Sequence, residues 1–460
     1  MPLLRGTLNP LDFFTGENMN VHILADSPNG VSSFASMARN LAMGLKARGH
    51  NITITGFQTY FRPENYRGIT VLPLLNPTEP DDPQVEQFRK NLKKTEAEVL
   101  ICIHEAYSHW SLFAKQFSPS YIWVPVEGKG ITPLMKENFQ TVGAVSQSYF
   151  GQKELVAEGI DSTVIYPGWN PGTFTQDPKP YCKWSTDLHR QTGYDPSEVA
   201  FRGCYECDGA NVYGMCKYFE EETIIIKHCR KESTRSISSI PDLRDELGAG
   251  YVIGCVANNI GKRKNIEALI KAFSLMENRK EALLHIHTAI STRGEPVSFI
   301  AEQHGVEDRV VVSYGEYPFS ISDRAMNHIY NNFDIYSSAS RAEGFGIAQL
   351  ESMAVCVPQV APAFGTFPEL IGENERGLLA SVDKIIPAPN GTSWCEVNTE
   401  SLADKMDALF ISPWIRSRMG KAASEWAKEY TWDKVVNRWN TLLPETEERA
   451  SIKRAIKCPT

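Results

Sequence analysis

The chain has 460 residues, 42% of them hydrophobic, which is enough for two or three domains with sizeable cores. Its formal net charge of −8 argues against a general nucleic-acid binder, and no apolar run approaches the roughly 20 residues of a membrane span. The first eighteen residues lack the basic start and continuous apolar core of a secretory signal, so a cytoplasmic protein is expected.

From Met19 to about Gly168, short apolar runs alternate with segments of helical period, the pattern of a parallel sheet covered on both faces. Val21-His-Ile-Leu-Ala25 reads as a buried first strand. The loop Asp26-Ser-Pro-Asn-Gly30 leads to a helix whose expected core face is Phe34, Met37, Ala38, Leu41 and Leu45. Gly49-His50 ends it, and Asn51-Ile-Thr-Ile-Thr-Gly56 resumes as the second strand. A helix around Phe88-Arg-Lys-Asn-Leu-Lys-Lys94 sets four cations on adjacent turns, with Glu86, Glu96 and Glu98 nearby. Further strands are expected at residues 99–104, 121–126, 141–145 and 163–166.

Between this unit and the next, five of the ten cysteines crowd together: Cys182, Cys204, Cys207, Cys216 and Cys229. Cys204-Tyr-Glu-Cys207 with Cys216 and Cys229 is consistent with a tetrahedral structural zinc, while free thiols or a disulfide pair fit the irregular spacing as well. A second doubly wound unit begins near Gly250, with strands expected at residues 251–256, 282–287, 310–313, 334–337, 358–361 and 377–379. Trp414, Trp426, Trp432 and Trp439 punctuate helix-like terminal segments.

The stretch Glu343-Gly-Phe-Gly-Ile-Ala-Gln-Leu-Glu351 carries the most chemistry. Two carboxylates flank a Gly-x-Gly turn that opens an apolar helix, and such a turn aims unpaired N–H groups and the positive end of the helix dipole at a phosphate. Glu343 precedes the helix and Glu351 lies about two turns along it, leaning back toward its start. A ligand with a central diphosphate and hydroxyl-rich ends fits that layout. Upstream, Gly254-Cys-Val-Ala-Asn-Asn-Ile-Gly-Lys-Arg263-Lys264-Asn265 runs a strand, a loop and a basic triplet straight into another helix, so cations and N–H groups converge. A Glu pair or a basic triplet alone is ordinarily a solvated face; the ordered context favours a site.

These residues resemble the Glu-x7-Glu signature of the retaining GT-B glycosyltransferases of family 4, and the flanks extend the resemblance. Residues 325–340 resemble that family's helix, strand and Ser-rich approach, and Phe364-Gly-Thr-Phe-Pro-Glu369 its second phosphate-facing loop. The resemblance implies an α/β GT-B fold: two doubly wound Rossmann-like domains facing across a cleft, with a Cys-rich insertion between them. Its boundaries would be an acceptor-side domain over 1–174, the insertion over 175–247, a nucleotide-sugar-binding domain over 248–430, and a C-terminal helix over 431–460 crossing back to the first domain.

By the same resemblance the donor is a nucleoside-diphosphate sugar, UDP- or GDP-linked. Glu343 would contact the transferred sugar and Glu351 the ribose. Arg263, Lys264, Gly344, Phe345, Gly346, Gly365, Thr366 and, in the first domain, Gly30 would line the donor. The acceptor would be a sugar, lipid or glycan, no catalytic metal or nucleic acid would be needed, and the basic helix around Lys90 would offer peripheral membrane contact. The chain departs from the family in two places: Cys255 stands where an Arg commonly follows the first Gly, and Glu127 where a His normally follows a first-domain strand. Glu127 is the expected substrate-site residue there, with His104 and His109 as alternatives. A GT-B-like sugar-nucleotide epimerase and a non-catalytic nucleotide-sugar-binding protein remain open as other readings.

Overall fold

The computed structural model describes residues 18–30, 32–57, 63–74, 83–106, 113–176, 223–228, 231–236, 242–258, 262–288, 295–315 and 321–444. They fall into two compact units: unit 1 from the described residues of Met1–Gly168, Pro387–Ser393 and Tyr430–Thr460, and unit 2 from those of Trp169–Ile386 and Trp394–Glu429.

Unit 1 is built on β1 (Asn20–Asp26), β2 (Asn51–Phe57), β3 (Glu64–Tyr66), β4 (Ile69–Leu74), β5 (Val99–Ile103), β6 (Ser120–Val124), β7 (Gly143–Ser146) and β8 (Ser162–Val164). They form one eight-stranded sheet in the order β3-β4-β2-β1-β5-β6-β7-β8, parallel except for β3. The order turns around between β1 and β5, which lie side by side although three strands separate them in the chain, and such a reversal opens a crevice at the strands' carboxyl ends. Val-Leu-Ile-Cys-Ile in β5 is buried throughout, as expected of a strand covered on both faces.

The first helix, Ser33–Ala47, starts where Ser32 accepts a hydrogen bond from the Ala35 N–H, and it buries Ala35, Met37, Ala38, Leu41, Ala42 and Leu45. Phe34, expected on that core face, is only half-buried and stacks on His104 with ring centroids 4.8 Å apart. The apolar stripe is therefore rotated by one residue at its start, where Ala35 takes the inward position. The helix Trp432–Leu442 also belongs to unit 1 and buries Val435, Val436 and Trp439. Trp439 meets Trp123 edge-on at 5.3 Å, and Asp433 pairs with Arg48 at 2.7 Å.

Unit 2 contains β9 (Thr223–His228), β10 (Lys231–Ser236), β11 (Tyr251–Val256), β12 (Ala282–His287), β13 (Val310–Tyr314), β14 (Ile335–Ser337), β15 (Gln359–Pro362) and β16 (Gly377–Ala380). The sheet order is β10-β9-β13-β12-β11-β14-β15-β16, with β11 to β16 parallel and β9 antiparallel to β13. Here the reversal lies between β11 and β14. The expected insertion therefore supplies two strands to the sheet edge. Cys204, Cys207, Cys216 and Cys229, the candidate zinc ligands, lie outside the described residues. After β16 comes a hairpin of β17 (Val382–Pro387) and β18 (Ser393–Val397), whose turn groups with unit 1.

Candidate active site

In unit 2 the loops after β11 and β14 flank the reversal, and they bring the charged residues of two distant motifs together. Glu343 is 8% exposed. Lys264 donates to its Oε2 at 2.5 Å, and Arg263 lies 3.4 Å from its Oε1 while also donating to the Ala342 carbonyl at 3.0 Å. Burial pushes the Glu343 carboxyl up, but the charges and hydrogen bonds of Lys264 and Arg263 outweigh it and hold the group below the usual carboxylate range. At neutral pH the cluster is one carboxylate and two cations. It retains a positive charge for a ligand.

The loop carrying Glu343 is braced from below. Thr366 is fully buried, and its hydroxyl lies 3.1 Å from the carbonyls of both Glu343 and Phe345, so its one proton serves either. Gly365, its neighbour, has φ +64°. Gly346 caps the helix Ile347–Ala354 at φ +107°, a left-handed conformation that a side chain would strain, and a Cβ there would come within 2.8 Å of Gln349 Oε1. Glu351 sits on that helix, half-buried, and accepts the Tyr330 hydroxyl at 2.9 Å. Burial and the charge of Glu351 push the Tyr330 hydroxyl well above its usual pKa.

Arg341 has no mark in the sequence that singles it out. Its backbone N–H donates to the Arg263 carbonyl at 2.8 Å, its guanidinium reaches the Lys262 carbonyl, and it forks onto Glu396 of β18 at 2.8 and 3.2 Å. It thereby fixes the basic loop without joining the charged cluster. An Arg three residues before Gly344 gives no signal of its own, because its partner Glu396 is distant in sequence. Cys255, in the place of a common family Arg, is buried in the unit's apolar core, and burial pushes its thiol up to about 12. It is an inert packing residue.

Unit 1 presents its own loops at the strand ends. Gly30 makes a tight turn after β1, donating to the Ser27 carbonyl at 2.7 Å and accepting from Arg39 at 3.2 Å. A Cβ there would lie 2.9 Å from the Ser27 oxygen. His104 follows β5, paired with Glu105 at 2.5 Å; His109 lies outside the described residues. Glu127 follows β6 in a turn, Glu127–Gly130, in which Gly128 and Gly130 both take positive φ. Among the described residues, no group of three or more His, Cys, Asp or Glu is arranged to hold a metal ion, and no helix is long and apolar enough to cross a membrane.

Most of the described sequence of unit 2 matches a known family. Residues 244–426 fit the model of "Glycosyl transferases group 1". This segment is a glycosyl transferases group 1 domain. Over 117 residues the chain is 32% identical to a D-inositol 3-phosphate glycosyltransferase of Corynebacterium efficiens, covering 25% of this chain and 24% of that protein. The matched stretches span 16% to 49% of the length of the curated relatives. The fold extends further than the sequence likeness. Sucrose-phosphate synthase from Thermosynechococcus elongatus aligns with TM-score 0.62 at 13% identity, over 92% of this chain and 97% of that one. Anabaena Alr3699/HepE, solved in complex with UDP and glucose, aligns with TM-score 0.62 at 13% identity, over 92% and 99%. The group 1 domain is thus the second of two parallel-sheet units in a GT-B fold.

Proposed function

We propose that the protein is a retaining glycosyltransferase that moves a sugar from a UDP- or GDP-linked donor to a hydroxyl of a glycan or lipid acceptor. One observation carries the reading: Glu343 is held by Lys264 and Arg263 at the strand reversal of the group 1 domain. A diphosphate takes over the two cations, and the carboxylate so released accepts hydrogen bonds from sugar hydroxyls. Each exchange replaces one charge-assisted contact with another. The HepE neighbour, solved with UDP and glucose, supports a nucleotide-sugar donor.

In the reaction the bond from the sugar's anomeric carbon to the donor phosphate oxygen breaks, and a bond to the acceptor oxygen forms on the same face. The acceptor proton passes to the departing phosphate oxygen, so no protein base is required. Lys264 and Arg263 stabilise the charge that develops on the leaving group, and Glu351 accepts from the ribose. On the acceptor side, the helix Pro83–Lys94 exposes Lys90, Lys93 and Lys94 on its outer face, which suits an anionic bilayer carrying a lipid acceptor. Binding to anionic vesicles at low salt and release at high salt, lost when those three lysines become Glu, is the result expected; no binding at low salt leaves a soluble glycan as the acceptor.

The direct test incubates the protein with radiolabelled UDP-, GDP- and ADP-sugars and mixed acceptors, preceded by a thermal-shift screen for the donor that stabilises it. Label in a new glycoside with retained anomeric configuration is expected. Interconversion of the nucleotide sugar with no new glycoside would make the protein an epimerase instead, and binding without either reaction would leave it a binding protein.

A further inference from the structure

Sugar transfer as proposed uses Glu351 and gives Tyr330 no role. Tyr330 belongs to the helix Asp323–Asn331, which starts where Ser322 accepts a hydrogen bond from the Ala325 N–H. It is 1% exposed, and its ring meets Phe333 edge-on at 6.1 Å and tilts against Phe174 at 5.9 Å. A hydroxyl so deeply buried needs an acceptor, and backbone carbonyls are the ordinary choice. Here the acceptor is Glu351 Oε2, 2.9 Å away on the helix Ile347–Ala354. A Phe at this position would pack against the same rings without burying a polar group, so packing alone does not account for the hydroxyl.

Glu351 shares the crevice of unit 2 with the charged cluster. It lies about 6 Å along the axis from the first residue of its helix, and its side chain leans back toward that end, where the Glu343 loop enters. Tyr336, on β14, donates to the Val256 carbonyl at 2.8 Å and so ties the end of β11 to β14. Burial, with the charges of Glu343 and Glu351 adding to it, pushes the Tyr336 hydroxyl well above its ordinary range, so both carboxylates act on one buried atom of unit 2. A glutamate side chain has several rotatable bonds and loses that freedom when it orders around a ligand. With Tyr330 holding one oxygen, much of the ordering precedes the ligand. A carboxylate accepts several hydrogen bonds at once, so the phenol's donation is compatible with others from ligand hydroxyls.

We infer that Tyr330 is a positioning residue, which holds the Glu351 carboxylate in the orientation that accepts the ribose hydroxyls and so makes the site select ribonucleotides. The inference rests on the donor chemistry proposed above and involves unit 2 alone. Its test is calorimetric titration of the full-length protein with UDP, with GDP and with the 2′,3′-dideoxy form of each. Wild-type protein should bind the ribonucleotide about tenfold or more tightly than its dideoxy form, since a carboxylate loses its hydroxyl donors. Tyr330→Phe keeps the ring and removes the hydroxyl, so the ribonucleotide should weaken about three- to tenfold, the worth of one hydrogen bond, with the dideoxy form unchanged within about twofold. In a Glu351→Ala background the same change should cost nothing further, because its effect runs through that carboxylate. Unchanged ribonucleotide affinity in Tyr330→Phe, or equal weakening of both forms, overturns the inference and leaves the proposed function intact. Wild-type protein that binds both forms equally also overturns it, whatever the stability of the variant, and leaves the diphosphate contacts of the proposed function standing. If the wild-type protein binds neither UDP nor GDP, the proposed function fails and the inference falls with it.

Discussion

Around β1 in unit 1 and β11 in unit 2 the strands are laid out alike, with the order of strands reversing beside the first of the parallel strands in each sheet. The loops beyond those strands differ. In unit 2 they converge on a charged cluster of Glu343, Lys264 and Arg263, held by Thr366 and Arg341. In unit 1 they are shaped by local turns and pairings: a tight turn at Gly30, a paired His104 and Glu105, and a turn at Glu127 pinned by Thr392 and Ser393. Strand order tells where a ligand sits and nothing about its charge. The loop residues make the difference: under the proposed function the cations of unit 2 would suit a diphosphate, and the loops of unit 1 a hydroxylic acceptor.

The largest effect should come from the carboxylate of unit 2. Glu343→Gln is expected to slow sugar transfer about tenfold to more than a hundredfold, because a charge-assisted hydrogen bond is worth roughly 1.5–3 kcal/mol. Steady-state rates with the identified donor check this, and full activity in the variant would remove Glu343 from the reaction. Next, Lys264→Ala and Arg263→Ala should each weaken nucleoside diphosphate binding by about tenfold or more, the lower end of the worth of a charge-assisted contact. Calorimetric titration reads it, and unchanged affinity in both would mean that the diphosphate sits elsewhere.

The two units should also differ in acid. His22 in unit 1 is fully buried between Thr55 and Thr95, and burial lowers its pKa to about 3. In unit 2, His285 and His287 share the Ser313 hydroxyl at 2.8 and 3.0 Å, and burial lowers them to about 3 and about 4. These rings stay neutral when folded, whereas unfolded chains protonate near the ordinary value. Their contribution is therefore complete above about pH 6.5 and is lost as the pH falls toward 3 or 4. At pH 5 the loss is about 2 kcal/mol per ring, so unit 2 should lose about twice as much as unit 1. Urea unfolding followed by hydrogen exchange in peptides from β1 and β12, at pH 7 and pH 5, measures the difference, and equal losses would contradict it. The smallest effect expected is none: a chelator should leave transfer intact, since under the proposed function Lys264, Arg263 and the helix N-terminus would neutralise the leaving group. Loss of transfer that magnesium or manganese specifically restores would contradict this.

The legible parts of the fold are those where burial leaves a mark on composition. β1, β5, β11 and β12 are apolar runs, and their positions can be read from the sequence to within a residue or two. β3, β10 and β17 carry no such mark, and β4 and β9, short apolar runs that have it, lie outside the strands expected from the sequence. β17, Val-Asp-Lys-Ile-Ile-Pro, is largely exposed and shows no period of two, so hydrophobic patterning has nothing to report. The Asn390-Gly391 dipeptide is the available signal, since those residues tolerate the backbone that tight hairpins need. At the site, the proximity of Glu343 to Lys264 and Arg263 is implied by the resemblance and carried by no local pattern, because 79 residues separate Glu343 from Lys264. The braces Thr392 and Arg341 are invisible for the same reason: each works through partners distant in sequence.

Under the proposed function, the ion cluster of unit 2 would also sort the anions it meets. An inorganic phosphate that drew Lys264 and Arg263 to itself would strand Glu343 in a nearly dry setting without its counter-ions, a state that buried carboxylates resist. Only a ligand that brings hydroxyl donors along with its phosphates leaves no group abandoned. On that reading, rejection of the commoner, simpler anions would be built into the resting pairing, before any shape of the sugar is read.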